Sequence, residues 1–199
     1  MPIAFCPCPP MLVPEVAQGA ARELAGLRAL CDVVVRRLVE AAGDTVTVVA
    51  SGAESKRCGT SAGGSLRGFG VDVSAGGPRK VLSPELTLGG WLLDRAGWAA
   101  EREYVTVRAD TRWDPETPVL LMGDGSAKRS DAAPGHIDER ATGYDKSIAH
   151  ALATGDAGAL ASLDLRLGEQ LWAGGVPALR SLGASLAAAG RGVRAARLR

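Results

Sequence analysis

Thr45-Val46-Thr47-Val48-Val49-Ala50-Ser51-Gly52 is the stretch on which the fold turns. It is rich in β-branched residues and closes at Ser51-Gly52, as an interior strand does in a sheet covered on both faces. Its carboxyl end opens into a long loop. Upstream, between Ala20 and Ala42, the apolar residues Leu24, Leu27, Cys31, Val34 and Leu38 recur at spacings of three and four. That period predicts an amphipathic helix, ended by Gly43. Further upstream, Ile3 to Phe5 is a short apolar start bounded by prolines, which suits a buried strand whose far end opens into a Pro-rich loop.

Downstream, glycines crowd the segment from Ser51 to Gly77, and Leu66 to Val73 is its one strand-like stretch. A helix is predicted from Pro84 to Ala96, with Ser83 as N-cap, Pro84 in the first turn and Glu85 at the positive end of the dipole. Tyr104 to Arg108 and Pro118 to Met122 read as two more strands. A helix from Asp138 or Thr142 to Ala153 follows, and Leu160, Leu163, Leu167 and Leu171 continue that habit. Val176 to Ala189 is read as the last helix, and Val193 to Leu198 as the start of a strand cut short. Strands alternating with helices predict one α/β domain, a three-layer α/β/α sandwich on a mainly parallel or mixed sheet. Ligands of such sheets bind outside the carboxyl ends of the strands, here the loops after Phe5, Ala50 and Met122.

The chain has 199 residues, 46% apolar and 23% charged, with a net charge of +1. That balance is ordinary for a globular protein and provides no global field for nucleic acid. Arg191, Arg194, Arg197 and Arg199 make the end locally basic, which solvation alone explains. The apolar runs are far shorter than the roughly 20 residues that cross a bilayer, so the expectation is a cytoplasmic protein with no membrane partner. Cys6, Cys8, Cys31 and Cys58 are irregularly spaced, which favours reduced thiols over a disulfide framework. Arg far outnumbers Lys, and Ala and Gly abound, as a GC-rich coding bias produces.

Three groups of residues carry candidate chemistry. In Gly123-Asp124-Gly125-Ser126-Ala127-Lys128-Arg129-Ser130, glycines after a buried strand let backbone N-H groups converge, and Lys128 and Arg129 add positive charge. Such a cradle suits an anion, although the glycines also serve a tight turn. Asp124 is placed to bind a metal or orient a substrate hydroxyl, and Asp124, Ser126 and Lys128 together would suit a hydrolase or transferase. Cys6 and Cys8, with Glu54, could hold zinc or copper, which thiolates prefer; the alternative is two small side chains packed at a strand end. Asp72, Asp110 and Asp114 have no partner spacing that lifts them above surface carboxylates.

Phe5-Cys6-Pro7-Cys8-Pro9-Pro10-Met11-Leu12-Val13-Pro14-Glu15-Val16, the strand Val46 to Ala50 and Met122-Gly123-Asp124-Gly125-Ser126 together resemble the class III extradiol ring-cleavage dioxygenases of the catalytic B-subunit type. The related Memo-like proteins share that fold. The resemblance extends through Gly143-Tyr144-Asp145, Ala153-Thr154-Gly155-Asp156 and Leu160, and covers most of the chain with loose motifs. It implies an α/β/α sandwich whose active members open catechol-like rings with dioxygen, using ferrous iron held by two histidines and a glutamate, with a further histidine as acid or base.

Carried onto this sequence, the first iron-binding histidine falls on Cys8, before Pro9 and Pro10, and the second falls near Ala53 or Glu54. The acid/base histidine falls on Ala127, and the ligand glutamate on Glu169. The chain's two histidines, His136 and His150, lie elsewhere. A two-histidine, one-carboxylate face is thus not supplied by the expected loops. The resulting expectation is a divergent extradiol dioxygenase-like protein that has lost the iron chemistry. Its alternative is a non-catalytic module on the same fold that binds a small anion or a protein partner; a small aromatic or anionic molecule is the expected ligand. A homodimer or a small partner subunit is implied by relatives of this kind; Trp91, Trp98, Trp113 and Trp172 could line such a contact, although scattered tryptophans more often serve as core residues.

Overall fold

The computed structural model describes residues 1–113 and 116–190. The expected strand at Val193 to Leu198, the terminal arginines and Asp114 lie outside them. The fold is α/β with a mixed sheet. Contacts gather the described residues into two compact units, one of residues 1–50, 56–106 and 116–122, the other of 51–55, 107–113 and 123–190.

The first unit is organised by a five-stranded sheet. Its strands are β1 (Ile3–Cys6), β2 (Thr45–Ser51), β3 (Lys56–Cys58), β7 (Glu101–Val107) and β8 (Val119–Met122), in the order β1-β8-β2-β7-β3. Both β1 and β2 run parallel to β8, with Phe5 and Val49 each in register with Leu121. The Glu101 N-H donates to the Asp44 carbonyl and the Gly52 N-H to the Val107 carbonyl, so β7 runs in the direction of β2. Only β3 is antiparallel, pairing with β7 at the edge. Val46, Val48, Val49 and Ala50 are fully buried, as are Val119 to Met122. Both strands therefore read as continuous apolar runs.

Two longer helices pack on this sheet, α2 (Ala25–Glu40) and α3 (Pro84–Arg95), after a short α1 (Pro14–Ala17). The Ser83 Oγ accepts the Leu86 N-H and caps α3, with Pro84 in its first turn, as the sequence predicts. By contrast, α2 begins later than Ala20. Gln18 takes a positive φ of 48°, residues 18–22 form a 3-10 turn, and the Arg28 guanidinium binds the carbonyls of Leu12 and Ala21. Arg95 grips Asp32 with two donors, at 2.9 and 2.6 Å, which ties α3 to α2.

The Gly-rich segment is more regular than its composition suggests. A second sheet, ordered β5-β4-β6, is built from β4 (Ala62–Ser65), β5 (Ser74–Gly76) and β6 (Arg79–Lys80). The predicted strand at Leu66 to Val73 is instead the connection from β4 to β5. It contains a 3-10 turn at Arg67–Phe69, and Gly70 reverses the chain at φ 81°. Glycines make this sheet possible by close approach: a Cβ on Gly63 would stand 1.9 Å from the Gly77 carbonyl oxygen. The Tyr104 ring is buried, with its hydroxyl 2.7 and 3.1 Å from where Gly76 and Gly90 would carry a Cβ. Burial pushes that phenol's pKa up, against the pull of Arg102 beside it.

The second unit holds α4 (Glu139–Thr154), α5 (Ala157–Ala161), α6 (Leu165–Gln170) and α7 (Val176–Ala188). Asp138, Asp156 and Asp164 cap the first three, each accepting a backbone N-H of the first turn. α5 and α7 pack closely, because Gly183 brings the α7 backbone against Ala157 and Leu160 with no room for a Cβ. Among the described residues no helix is long and apolar enough to cross a membrane.

Candidate functional site

Four parallel strands end in loops, and those that leave β2, β7 and β8 enter the second unit at once. The loop after β8 contains the Gly123 to Ser130 stretch whose sequence suits an anion cradle. Asp145, on the second turn of α4, is the centre of its construction. The Ser126 N-H donates to Asp145 Oδ1 at 2.8 Å, and Arg129 Nε stands 3.6 Å from Oδ2. Gly125 lets the carboxylate approach, since a Cβ there would stand 2.7 Å from Oδ1.

Other donors of the loop are also used within the protein. The Ser126 hydroxyl donates to the Leu171 carbonyl at 3.2 Å and accepts the Lys128 N-H at 3.0 Å. The Ala127 N-H reaches the same carbonyl at 3.0 Å. Gly123 and Gly175 face each other backbone to backbone, and the Gly175 N-H donates to the Asp124 carbonyl at 2.9 Å. The convergence of N-H groups read from the sequence therefore exists, but the protein's own Asp145 and Leu171 fill it. Ser126 acts as a brace, and Asp124 sits half-buried beside Gly175. The positive charge that remains is Lys128, whose ammonium lies 5.2 Å from the centre of the exposed Trp172 ring, a cation-π distance.

The residues carried over from the iron site are placed as follows. Cys8 is buried in the loop just after β1 in the first unit, and Cys6 and Cys31 are buried as well. The Cys31 sulfur beside it, with burial, pushes the Cys6 pKa far up, so this thiol stays protonated and packs as an apolar group. Glu54 is exposed in the loop after β2, and Glu169 is exposed on α6. His136 and His150 are both exposed. Among the described residues, no group of three or more His, Cys, Asp or Glu side chains is arranged to hold a metal ion. These donors do not fit the two-histidine, one-carboxylate iron site that the resemblance implies, nor a thiolate-rich zinc or copper site.

A cavity among the described residues lies beside the loop that follows β7. This cavity of about 390 Å³ is lined by Arg108, Asp110 and Arg112 of that loop and by Arg180 of α7, with aliphatic side chains completing the wall. The loop is anchored to α7 by two serines. Ser181 Oγ donates to the Thr111 carbonyl at 2.8 Å and accepts the Trp113 indole N-H at 3.0 Å. Ser185 Oγ accepts the Trp113 backbone N-H at 3.1 Å. Both serines are buried, at 0% and 4% exposure, so these bonds are shielded from water and hold the loop in one position. The Arg180 guanidinium is aimed by its bond to the Leu163 carbonyl, 2.7 Å away.

Asp110 lies among these cations. Its carboxylate accepts two bonds from Arg108, at 3.1 and 3.2 Å, which together with the charge of Arg112 lower its pKa. From the sequence, Asp110 has no partner spacing that lifts it above a surface carboxylate, and a coding bias accounts for abundant arginine. The missed signal is the Arg108-Ala109-Asp110-Thr111-Arg112 run directly after a buried strand. Arg180, far away in the chain, carries no such signal.

Fold and cavity define an α/β protein with an arginine-lined cavity beside a strand-end loop. No protein-family model matches the chain, and no curated protein matches it.

Proposed function

We propose that this protein is a non-catalytic relative of the extradiol dioxygenase-like architecture that binds a small anion in the cavity of Arg108, Arg112 and Arg180. The observation that carries the reading is that three arginines line one cavity of about 390 Å³, within the 300–1,000 Å³ usual for small-molecule sites. Planar guanidiniums match the oxygens of carboxylates and phosphates with paired donors, and a loop fixed by buried serines loses little freedom when a ligand enters. Resemblance in the loops after β1 and β8 supports the architecture. That Cys8 and Ala127 stand where the resemblance places an iron-binding and an acid/base histidine supports a role without iron chemistry.

Calorimetric titration with inorganic phosphate at low ionic strength tests this reading. Saturable binding to the protein, weakened about tenfold or more in Arg112→Ala, is the expected result. Binding that is unchanged in that variant would overturn it, as would a native protein to which neither inorganic phosphate nor an organic phosphate binds. Catechol with ferrous iron and dioxygen is the control, and turnover there would overturn the non-catalytic part.

A further inference from the structure

The cavity's charge and its wall select among anions. Resting on the anion-binding reading above, we infer that the ligand is a phosphate monoester of a small organic molecule.

Three guanidiniums against the single carboxylate of Asp110 leave an excess of two positive charges around the cavity. A phosphate monoester carries about −1.5 to −2 at neutral pH, whereas a simple carboxylate carries −1, so the ester comes closer to neutralising the site. Its three terminal oxygens can also accept from more than one arginine fork at once, which a carboxylate with two oxygens does less well. Arg108 and Arg112 approach from the loop and Arg180 from α7, so the forks come from two separate elements.

The remaining wall is apolar. Leu165 of α6, Ala161 of α5 and Ala184 of α7 line it together with Ala109. Inorganic phosphate would leave that half of the cavity in contact with water alone. An organic body attached through the ester oxygen would cover it and gain the hydrophobic contribution of the buried area.

Asp110 gives the site its resting state. Its carboxylate occupies Arg108 and faces Arg112, so it stands in for an anion. Both side chains are largely exposed, at 58% and 71%, and an exposed pair of this kind holds weakly. An entering phosphate displaces the carboxylate from Arg108, and the residual repulsion from Asp110 lowers the affinity.

The experiment is calorimetric titration of the full chain with phenyl phosphate, inorganic phosphate and benzoate, at one low ionic strength. It is run on the native protein, on Asp110→Asn and on Arg112→Ala. Phenyl phosphate is expected to bind about tenfold or more tightly than either other probe. Asp110→Asn, an exposed and nearly isosteric change, is expected to tighten phenyl phosphate several-fold, and Arg112→Ala to weaken it about tenfold. Inorganic phosphate or benzoate binding as tightly as phenyl phosphate would overturn the ester assignment and leave the anion-binding reading standing. Unchanged or weaker binding in Asp110→Asn would overturn the displacement role of the carboxylate. Failure of all three probes to bind would overturn both readings.

Discussion

Asp145 accepts the Ser126 backbone N-H at 2.8 Å, from a residue nineteen positions away, and so fixes the loop after β8 onto α4. The Asp145 side chain is only 15% exposed, and Arg129 stands on its second oxygen. A half-buried carboxylate thus does for this loop what a bound anion does for a phosphate-binding one.

Removing that carboxylate should loosen the loop. Asp145→Ala is expected to cost about 1.5–3 kcal/mol, the usual worth of a hydrogen bond to a charged group. Gly125→Ala should cost about 1–3 kcal/mol by forcing a Cβ to within 2.7 Å of the same oxygen. Urea unfolding of both variants measures this, and midpoints equal to that of the native protein would show that the loop is held by other bonds.

Gly89 looks like a defect in α3, yet its replacement should harm the protein. Alanine is the better helix former by about 1 kcal/mol, but a Cβ at this position would stand 2.4 Å from Val48 Cγ1 and 3.1 Å from Met122 Cγ, both in the buried core. A net loss of about 1–3 kcal/mol is expected for Gly89→Ala. Gly143→Ala, on the exposed side of α4 with nothing within 4 Å, should instead gain about 0.4–1 kcal/mol. Thermal melts of the two variants should shift in opposite directions.

Alkaline conditions should destabilise the second unit through Tyr144. Its ring is buried, its hydroxyl donates to the Asp164 carbonyl at 2.7 Å, and burial pushes its pKa up to about 12 from the ordinary 10. The folded protein therefore favours the protonated phenol. Its stabilising contribution is whole below pH 10 and is lost as the pH rises from there through about 12. Denaturant melts between pH 9 and 12 should show this fall in the native protein and a shallower one in Tyr144→Phe.

The sequence revealed the elements whose causes are local. Ser83 before Pro84 and Asp138 before α4 announce helix starts because an N-cap acts within one turn, and the apolar runs of β2 and β8 announce buried strands. The segment from Lys56 to Lys80 was illegible for the opposite reason. Its strands are two to four residues long and set among glycines, so neither period nor propensity marks them, and only pairing with a neighbour makes them strands. The candidate site divides in the same way. Gly123 to Arg129 was visible as a glycine-and-cation pattern, whereas the occupant of that cradle, Asp145, was not.

The sequence by itself determined an α/β protein: the order of its buried strands and amphipathic helices, the Ser83 cap, and the position of both histidines outside the loops after Phe5 and Ala50. Those properties follow from neighbours a few residues apart. Only the tertiary structure decided that Asp145 closes the loop after β8, and that Arg108 and Arg112 meet Arg180 around one cavity. Arg112 and Arg180 are separated by 68 positions, and no local period or propensity encodes a distance that exists only once the helices have packed.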